Sequence, residues 1–273
     1  MTNSKVVWAT DLHLDFALEK QRKIFWDSLK NVDKLIISGD IADGPKLKTY
    51  LQEINNHTSG NYYFTLGNHD YYGFKIHEVH DVVEKFCKKN SRAKWLRKSP
   101  NGFEQLFDDV AIVGNSSWYD CKWGTANGTV ILRDFGEIKD FKFLPRFTPL
   151  MFDAFLNLAK QTAEEMKIAL TNAFKQYDKV IAVMHVPPFV EAALYQGKPS
   201  NKYFLPFYTS KTMGDMLRIL MSYYVDKRLI VLCGHTHGEG VYDAEHNIRV
   251  YSGRSEYFFP EICKEIDQSI WSW

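Results

Sequence analysis

Five apolar runs in this chain each close on a residue that can hold a metal ion. KVVWAT (5–10) leads into Asp11 and His13, and KLIISG (34–39) into Asp40. YYFTLG (62–67) leads into Asn68, His69 and Asp70, KVIAVM (179–184) into His185, and RLIVLCG (228–234) into His235 and His237. Unbroken Val, Ile, Leu and aromatic runs of this length are what strands buried on both faces require. Loops at the ends of such strands, held by a rigid sheet, are where chemistry is usually placed. Five strand ends that deliver only Asp, Asn and His predict one converging site, with enough donors for two cations.

The segments between the runs read as helices, so the predicted class is α/β. Apolar residues recur at helical spacing from about Leu18 to Lys30 (Ile24, Phe25 and Leu29), from Lys46 to Ile54, and from Phe74 to Lys89 (Ile76, Val79, Val83 and Phe86). Thr148-Pro149, an N-cap type followed by proline, opens the longest helix, to about Tyr177, and a last one spans Lys211 to Tyr224. Between Lys94 and Phe143 the pattern is irregular and strand-like, with DVAIVGNSSWY and GTVILRDF its clearest pieces; the tail from Ile248 to Ile262 alternates loosely, as a closing strand and turn do. No repeat or linker interrupts residues 1–273, so a single domain is expected.

Charge and cysteine usage narrow the function classes. The 34 Lys and Arg against 33 Asp and Glu leave a net charge of +1, with no general basic surface for a polyanion. Cys87, Cys121, Cys233 and Cys263 are scattered without a CxxC pair, and Cys233 sits inside an apolar run as a small buried hydrophobe. A reducing, cytoplasmic setting is the expectation, with no signal peptide at the N-terminus and no apolar stretch long enough for a membrane span.

Taken singly, the donor groups are modest signals. Asp11 and His13 lie two apart, and in an extended segment both point to one face. His235 and His237 repeat that spacing just after a glycine, although two loop histidines can also be plain surface residues. His185 precedes Val186-Pro187-Pro188, a stiff exit that fixes its direction. Asp40 follows Gly39, and its two oxygens can bridge two cations; Asn68 offers a hard, neutral amide oxygen. His77-Glu78-Val79-His80 is one residue short of the zinc-protease spacing and reads as a solvated helix face, and His57 and His246 read as surface. Tyr71 and Tyr72 can line a cleft or pack. Tyr195, Tyr203, Phe204, Phe207 and Tyr208, with Lys198 and Lys202, can form an aromatic lip or pack as an ordinary loop.

In combination, D-L-H at 11–13, G-D at 39–40, G-N-H-D at 67–70, His185 and G-H-T-H at 234–237 resemble the calcineurin-like metallophosphoesterase superfamily, and the motifs span most of the chain. The resemblance implies a four-layer α-β-β-α sandwich of two mixed sheets flanked by helices, and a dinuclear centre. Carried over by motif, Asp11, His13, Asp40 and His237 would hold one ion, and Asp40, Asn68, His185 and His235 the other, with Asp40 bridging. His69 would stand beside the ions as general acid, with Asp70 holding it. The implied reaction is hydrolysis of a phosphodiester or phosphomonoester of a small substrate by a hydroxide bridging two cations that lower its pKa. A donor set of imidazole, carboxylate and amide without thiolate suits Mn, Fe or Zn. The protein Ser/Thr phosphatase branch carries an Arg in GDxVDRG; here 39–45 reads GDIADGP without one, which leaves Arg133, Arg146 and Arg254 as candidates for a phosphate clamp. Two alternatives stay open: a nuclease of the same superfamily, and a non-catalytic binding module on the same fold.

Overall fold

The computed structural model describes residues 4–273. One sheet is built from β1 (Val6–Ala9), β2 (Lys34–Ser38), β3 (Asn61–Thr65), β4 (Ala93–Trp95) and β13 (Lys264–Glu265), in the order β13-β1-β2-β3-β4. Its first four strands run parallel, and β13 closes the edge antiparallel to β1. The second sheet contains β5 (Glu104–Phe107), β6 (Val110–Gly114), β7 (Lys179–Val183), β10 (Arg228–Cys233), β11 (Gly240–Glu245) and β12 (Ile248–Ser252), in the order β11-β12-β10-β7-β6-β5. Its four central strands are parallel and its two edges antiparallel. A small ribbon joins β8 (Leu194–Tyr195) to β9 (Lys198–Pro199).

The apolar runs divide their side chains between two layers because successive residues of a strand point to opposite faces. Val6 and Trp8 of β1 meet Ile181 and Val183 of β7 in the core between the sheets. Val7 and Ala9 turn the other way, towards α1 (Glu19–Ser28), α2 (Gly44–His57) and α3 (Ile76–Lys89), which bury Phe25, Leu51 and Val83 there. Val180 and Ala182 face α5 (Pro149–Phe174) and α7 (Lys211–Ser222), meeting Met166, Leu170, Met213 and Leu217. Burial on both faces is why these runs lack polar alternation. The architecture is two mixed sheets flanked by helices, as expected.

Several local expectations change. On α1, Ile24 is 54% exposed and Trp26 takes the inward place beside Phe25 and Leu29. The helix expected from Lys46 starts at Gly44, with Pro45 in its first turn, where a missing N–H costs nothing. Thr148 stands at the N-cap of α5, but its hydroxyl donates to the Pro145 carbonyl rather than capping the helix. The GTVILRDF piece forms no strand. It is loop leading into one short helix, α4 (Asp134–Glu137), with Ile131 62% exposed and the Asp134 carboxylate buried among hydroxyl donors. A further short helix, α6 (Leu205–Tyr208), follows the β8–β9 ribbon.

Ile181 is wholly buried between the sheets. Ile181→Ala is expected to cost roughly 2–5 kcal/mol, read as a lower urea midpoint with an unchanged slope.

Candidate metal centre

Every donor singled out in the sequence lies just beyond the C-terminal end of a parallel strand: Asp11 after β1, Asp40 after β2, Asn68 after β3, His185 after β7, and His235 and His237 after β10. The two sheets therefore open their strand ends onto a common rim, the usual ligand position of parallel sheets. Backbone bonds carry the pairing past the strands. Asp11 N–H donates to the Gly39 carbonyl (3.1 Å), His13 N–H to Asp40 (3.0 Å), His185 N–H to Ser116 (3.1 Å) and Gly234 N–H to His185 (3.0 Å).

The Asp11–His13 and His235–His237 segments are not extended. Asp11 (φ 48°), His13 (39°), Asp40 (52°), His235 (70°) and His237 (57°) all take left-handed backbone. A non-glycine residue there is uncommon, and a cluster at one place marks a functional constraint. The glycines before them make room. A Cβ on Gly67 would sit 2.2 Å from Asp40 Oδ1 and 2.7 Å from His185 Cε1. One on Gly234 would sit 2.1 Å from Asp11 Oδ2.

The donors form two adjoining groups. In the first, His237 Nε2 lies 3.5 Å from Asp11 Oδ1 and 3.4 Å from His13 Nε2. In the second, Asn68 Oδ1 lies 3.0 Å from both His185 Nε2 and His235 Nδ1, which are 3.2 Å apart. Asp40 Oδ2 stands between them, 3.8 Å from His13 Nε2 and 3.3 Å from His185 Nε2. Outer contacts settle which ring nitrogen faces inward. His185 Nδ1–H donates to the Ser38 carbonyl (2.9 Å), and His235 Nε2–H to the Phe207 carbonyl (2.9 Å). In the neutral rings the inward nitrogens then carry lone pairs. Burial lowers His13 well below the ordinary imidazole value, and burial together with His185 lowers His235 to about 4. Burial would depress His185 too, but the Asp40 carboxylate overrides it and raises that imidazole to about 10.

His69 does not pair with Asp70. Its Nδ1 lies 2.9 Å from Asp43 Oδ1, and its N–H donates to Asp40 Oδ1 (2.9 Å). Burial opposes charge on this imidazole, yet Asp40 and the Asp43 hydrogen bond raise its pKa. Asp70 instead ties two loops together, accepting from the N–H groups of Ile41 (2.9 Å), Ala42 (3.1 Å) and Gly67 (2.8 Å).

A cleft of about 540 Å³ opens over the centre, lined by His69, Tyr72, Arg133 and Asp134 and by Tyr195, Ser200, Asn201, Phe204 and Tyr208, the last packed edge-on against His235. Tyr257 closes one side, stacked on His13 with ring centroids 4.5 Å apart. Asp134, Tyr257 and Asp43 carried no sequence signal strong enough to single them out. Of the candidate arginines, only Arg133 reaches the cleft, 3.1 Å from Asp43 Oδ2 and over the Tyr72 ring. Arg254 pairs with Glu256 and Glu261, and Arg146 is exposed away from the cleft lining. Phe207 is core, Lys198 and Lys202 lie outside the cleft lining, and Tyr71 is buried against Ser116. His77 is exposed, whereas His80 is not a solvated residue: it bonds Arg97 (2.7 Å) and the Tyr71 hydroxyl (3.2 Å).

The two aspartates of the His69 region separate by stability. Asp70→Ala leaves three buried N–H groups without an acceptor and is expected to cost roughly 3 kcal/mol or more. Asp43→Ala, at the cleft edge, is expected to cost about 1 kcal/mol or less; equilibrium denaturation of both variants gives the comparison.

The donor chemistry fits metal. Asp11, His13 and His237, and likewise Asp11, Asp40 and His185, offer ligand atoms all within 4.8 Å of one another. With both rings neutral, three inward lone pairs of Asn68, His185 and His235 lie within 3.2 Å and repel, a conflict that either a proton on His185 or a cation among them relieves. No helix among the described residues is long and apolar enough to cross a membrane. No curated protein matches the chain in sequence. Among solved structures, it is similar to a phosphopantetheinyl hydrolase from Mycobacterium tuberculosis, at 16% identity over 98% of each chain with a TM-score of 0.66. It is also similar to a dimetal phosphatase from Danio rerio, at 13% identity over 92% of this chain and 87% of the other, with a TM-score of 0.53. At such identities the likeness is one of fold. The sequence itself matches the family described as calcineurin-like phosphoesterase over residues 4–239, most of its length, and the chain belongs to that family.

Proposed function

We propose that the protein is a hydrolase of small phosphoesters, favouring diesters, that works with two transition-metal ions. The observation that carries this reading is the convergence of seven donor residues from five strand ends into two adjoining groups with the Asp40 carboxylate between them. Asp11, His13, Asp40 and His237 would hold one ion, and Asp40, Asn68, His185 and His235 the other. The mix of imidazole, carboxylate and amide favours Mn, Fe or Zn. When bound, two such ions neutralise phosphate charge and supply a nucleophile at neutral pH.

The chain's own residues do the rest. His69 faces the cleft with Asp43 behind it, so one ring nitrogen is held and the other is free to give a proton to a departing alkoxide. Arg133, beside Asp43 at the mouth, is placed to meet a phosphate oxygen. It is the only Lys or Arg lining the cleft among the described residues. A single arginine beside the ions, itself paired with Asp43, adds little charge for the second negative charge of a monoester and offers no track for a polynucleotide. The wall of Tyr195, Phe204 and Tyr208 supplies the apolar surface that an organic ester group needs, within a volume normal for small-molecule sites.

Protein reconstituted with Mn²⁺ is expected to hydrolyse an aryl phosphodiester with kcat/KM about tenfold or more above the matching monoester; the reverse preference overturns the diester reading, and oligonucleotides as best substrates establish the nuclease. His69→Ala is expected to keep both ions and lose roughly 100-fold or more in kcat on an alkyl ester, which needs a proton at its leaving group, and far less on a nitrophenyl ester, which does not. Equal losses on the two esters would show that His69 is not the acid. Asp40→Ala is expected to bind fewer than two ions per chain by metal analysis, and full occupancy in that variant would refute the bridging assignment.

A further inference from the structure

A primary amide has two ends of nearly the same shape, and only the oxygen end can hold a cation. For Asn68 to serve the second group of donors, something must decide which end faces inward. The Asn68 Nδ2 amide donates to Asp134 Oδ1 (3.0 Å) and to the Tyr72 hydroxyl (3.2 Å). Asp134 is 1% exposed, and its oxygens also accept from the Tyr72 hydroxyl (2.6 Å) and the Tyr119 hydroxyl (2.9 Å). Burial, and then Asp134 itself, raises both phenols far above the ordinary range, so they remain donors. A carboxylate held by donors on both oxygens can receive the NH₂ end of Asn68 but not its carbonyl end. The Asn68 oxygen is thereby turned to His185 and His235.

A second observation points the same way. Among the described residues no Lys or Arg lies within ion-pair distance of Asp134. An enclosed carboxylate of that kind is costly without nearby positive charge. The donor group on the far side of Asn68 is where such charge would sit. We propose that Asp134 is a positioning residue of the metal centre, fixing the Asn68 carboxamide with its oxygen inward and adding a carboxylate behind the second cation. Asp134 lies outside every motif in the strand-end loops and comes from the irregular segment between β6 and α5.

This rests on the reading of Asn68 as a ligand, and one titration series separates the two claims. Mn²⁺ or Zn²⁺ is titrated calorimetrically into metal-free wild type, Asn68→Ala, Asp134→Ala and the double variant N68D/D134A, with bound metal counted after dialysis. Asp134→Ala is expected to weaken about 10–100-fold the same ion that Asn68→Ala weakens, and to leave the other ion unchanged. In the double variant the side chain at position 68 has oxygen at both ends, needs no orienting, and should recover that affinity. A purely structural role would lower the unfolding temperature without this rescue. If Asn68→Ala weakens an ion and Asp134→Ala does not, or if the double variant stays weak, the positioning role is overturned. If Asn68→Ala leaves both ions as in wild type, the ligand reading falls and the proposal with it. Should Asp134→Ala not fold, Asp134→Asn carries the test. Its amide can pair with either end of Asn68, so the same ion should weaken about threefold or more, and unchanged affinity overturns the proposal.

Discussion

Electron-pair donors crowd the rim where the two sheets meet, and that mutual repulsion governs the rest of the structure. Asn68 Oδ1, His185 Nε2 and His235 Nδ1 lie within 3.2 Å of one another at the base of the cleft, with His185 wholly buried and Asn68 nearly so. While both rings are neutral, their protons point outward to the Ser38 and Phe207 carbonyls and none lies between these atoms. A proton on His185, drawn by Asp40, relieves part of the conflict. A cation shared by the three atoms relieves all of it, and it competes for the same lone pair as that proton.

Holding donors in such a conflict requires backbone that cannot relax, and the sheets provide it. Five of the donor residues sit in left-handed conformations, at roughly 1 kcal/mol each. The total, roughly 5 kcal/mol, is comparable with the whole stability of many domains. Asp and His are among the types that tolerate this region best, and the Asp11 and His13 N–H groups are held by the Gly39 and Asp40 carbonyls and that of His235 by the Asp11 carboxylate. Asp70 adds a clamp between the Gly-Asp and Gly-Asn loops through three backbone N–H groups. The strain is thus stored beside the most deeply buried strands, where a cooperative unfolding event is needed to release it.

This division explains what the sequence made legible. Runs such as KVIAVM and RLIVLCG announce doubly buried strands, and a strand end is a fixed point in space once its sheet is known. The donor residues could therefore be found by their position after those runs. The direction of a side chain within a loop is another matter. Asp70 is the sequence neighbour of His69 and Asp43 lies 26 residues before it, yet the turn geometry gives Asp43 the ring and Asp70 the backbone. Asp134 was hidden for a similar reason. Its segment reads as a β-branched run, and the buried acceptor overrides that local preference by drawing Tyr72, Tyr119 and Asn68 around it.

The cleft is consequently assembled from two kinds of chain. One half is strand ends, short, glycine-spaced and closed to insertion, because an added Cβ at Gly67 or Gly234 would strike a donor oxygen. The other half comes from the segment between β6 and α5 and from the segment after β7, which contribute Arg133, Tyr195, Phe204 and Tyr208. Loops of the second kind can change lining at their tips with little effect on the donors, although the Phe207 carbonyl in one of them already holds His235. Asp134 is a second such tie. Through Asn68 it fastens this segment to the donor cluster, so a change of cleft that displaced α4 would reach the second group of donors as well.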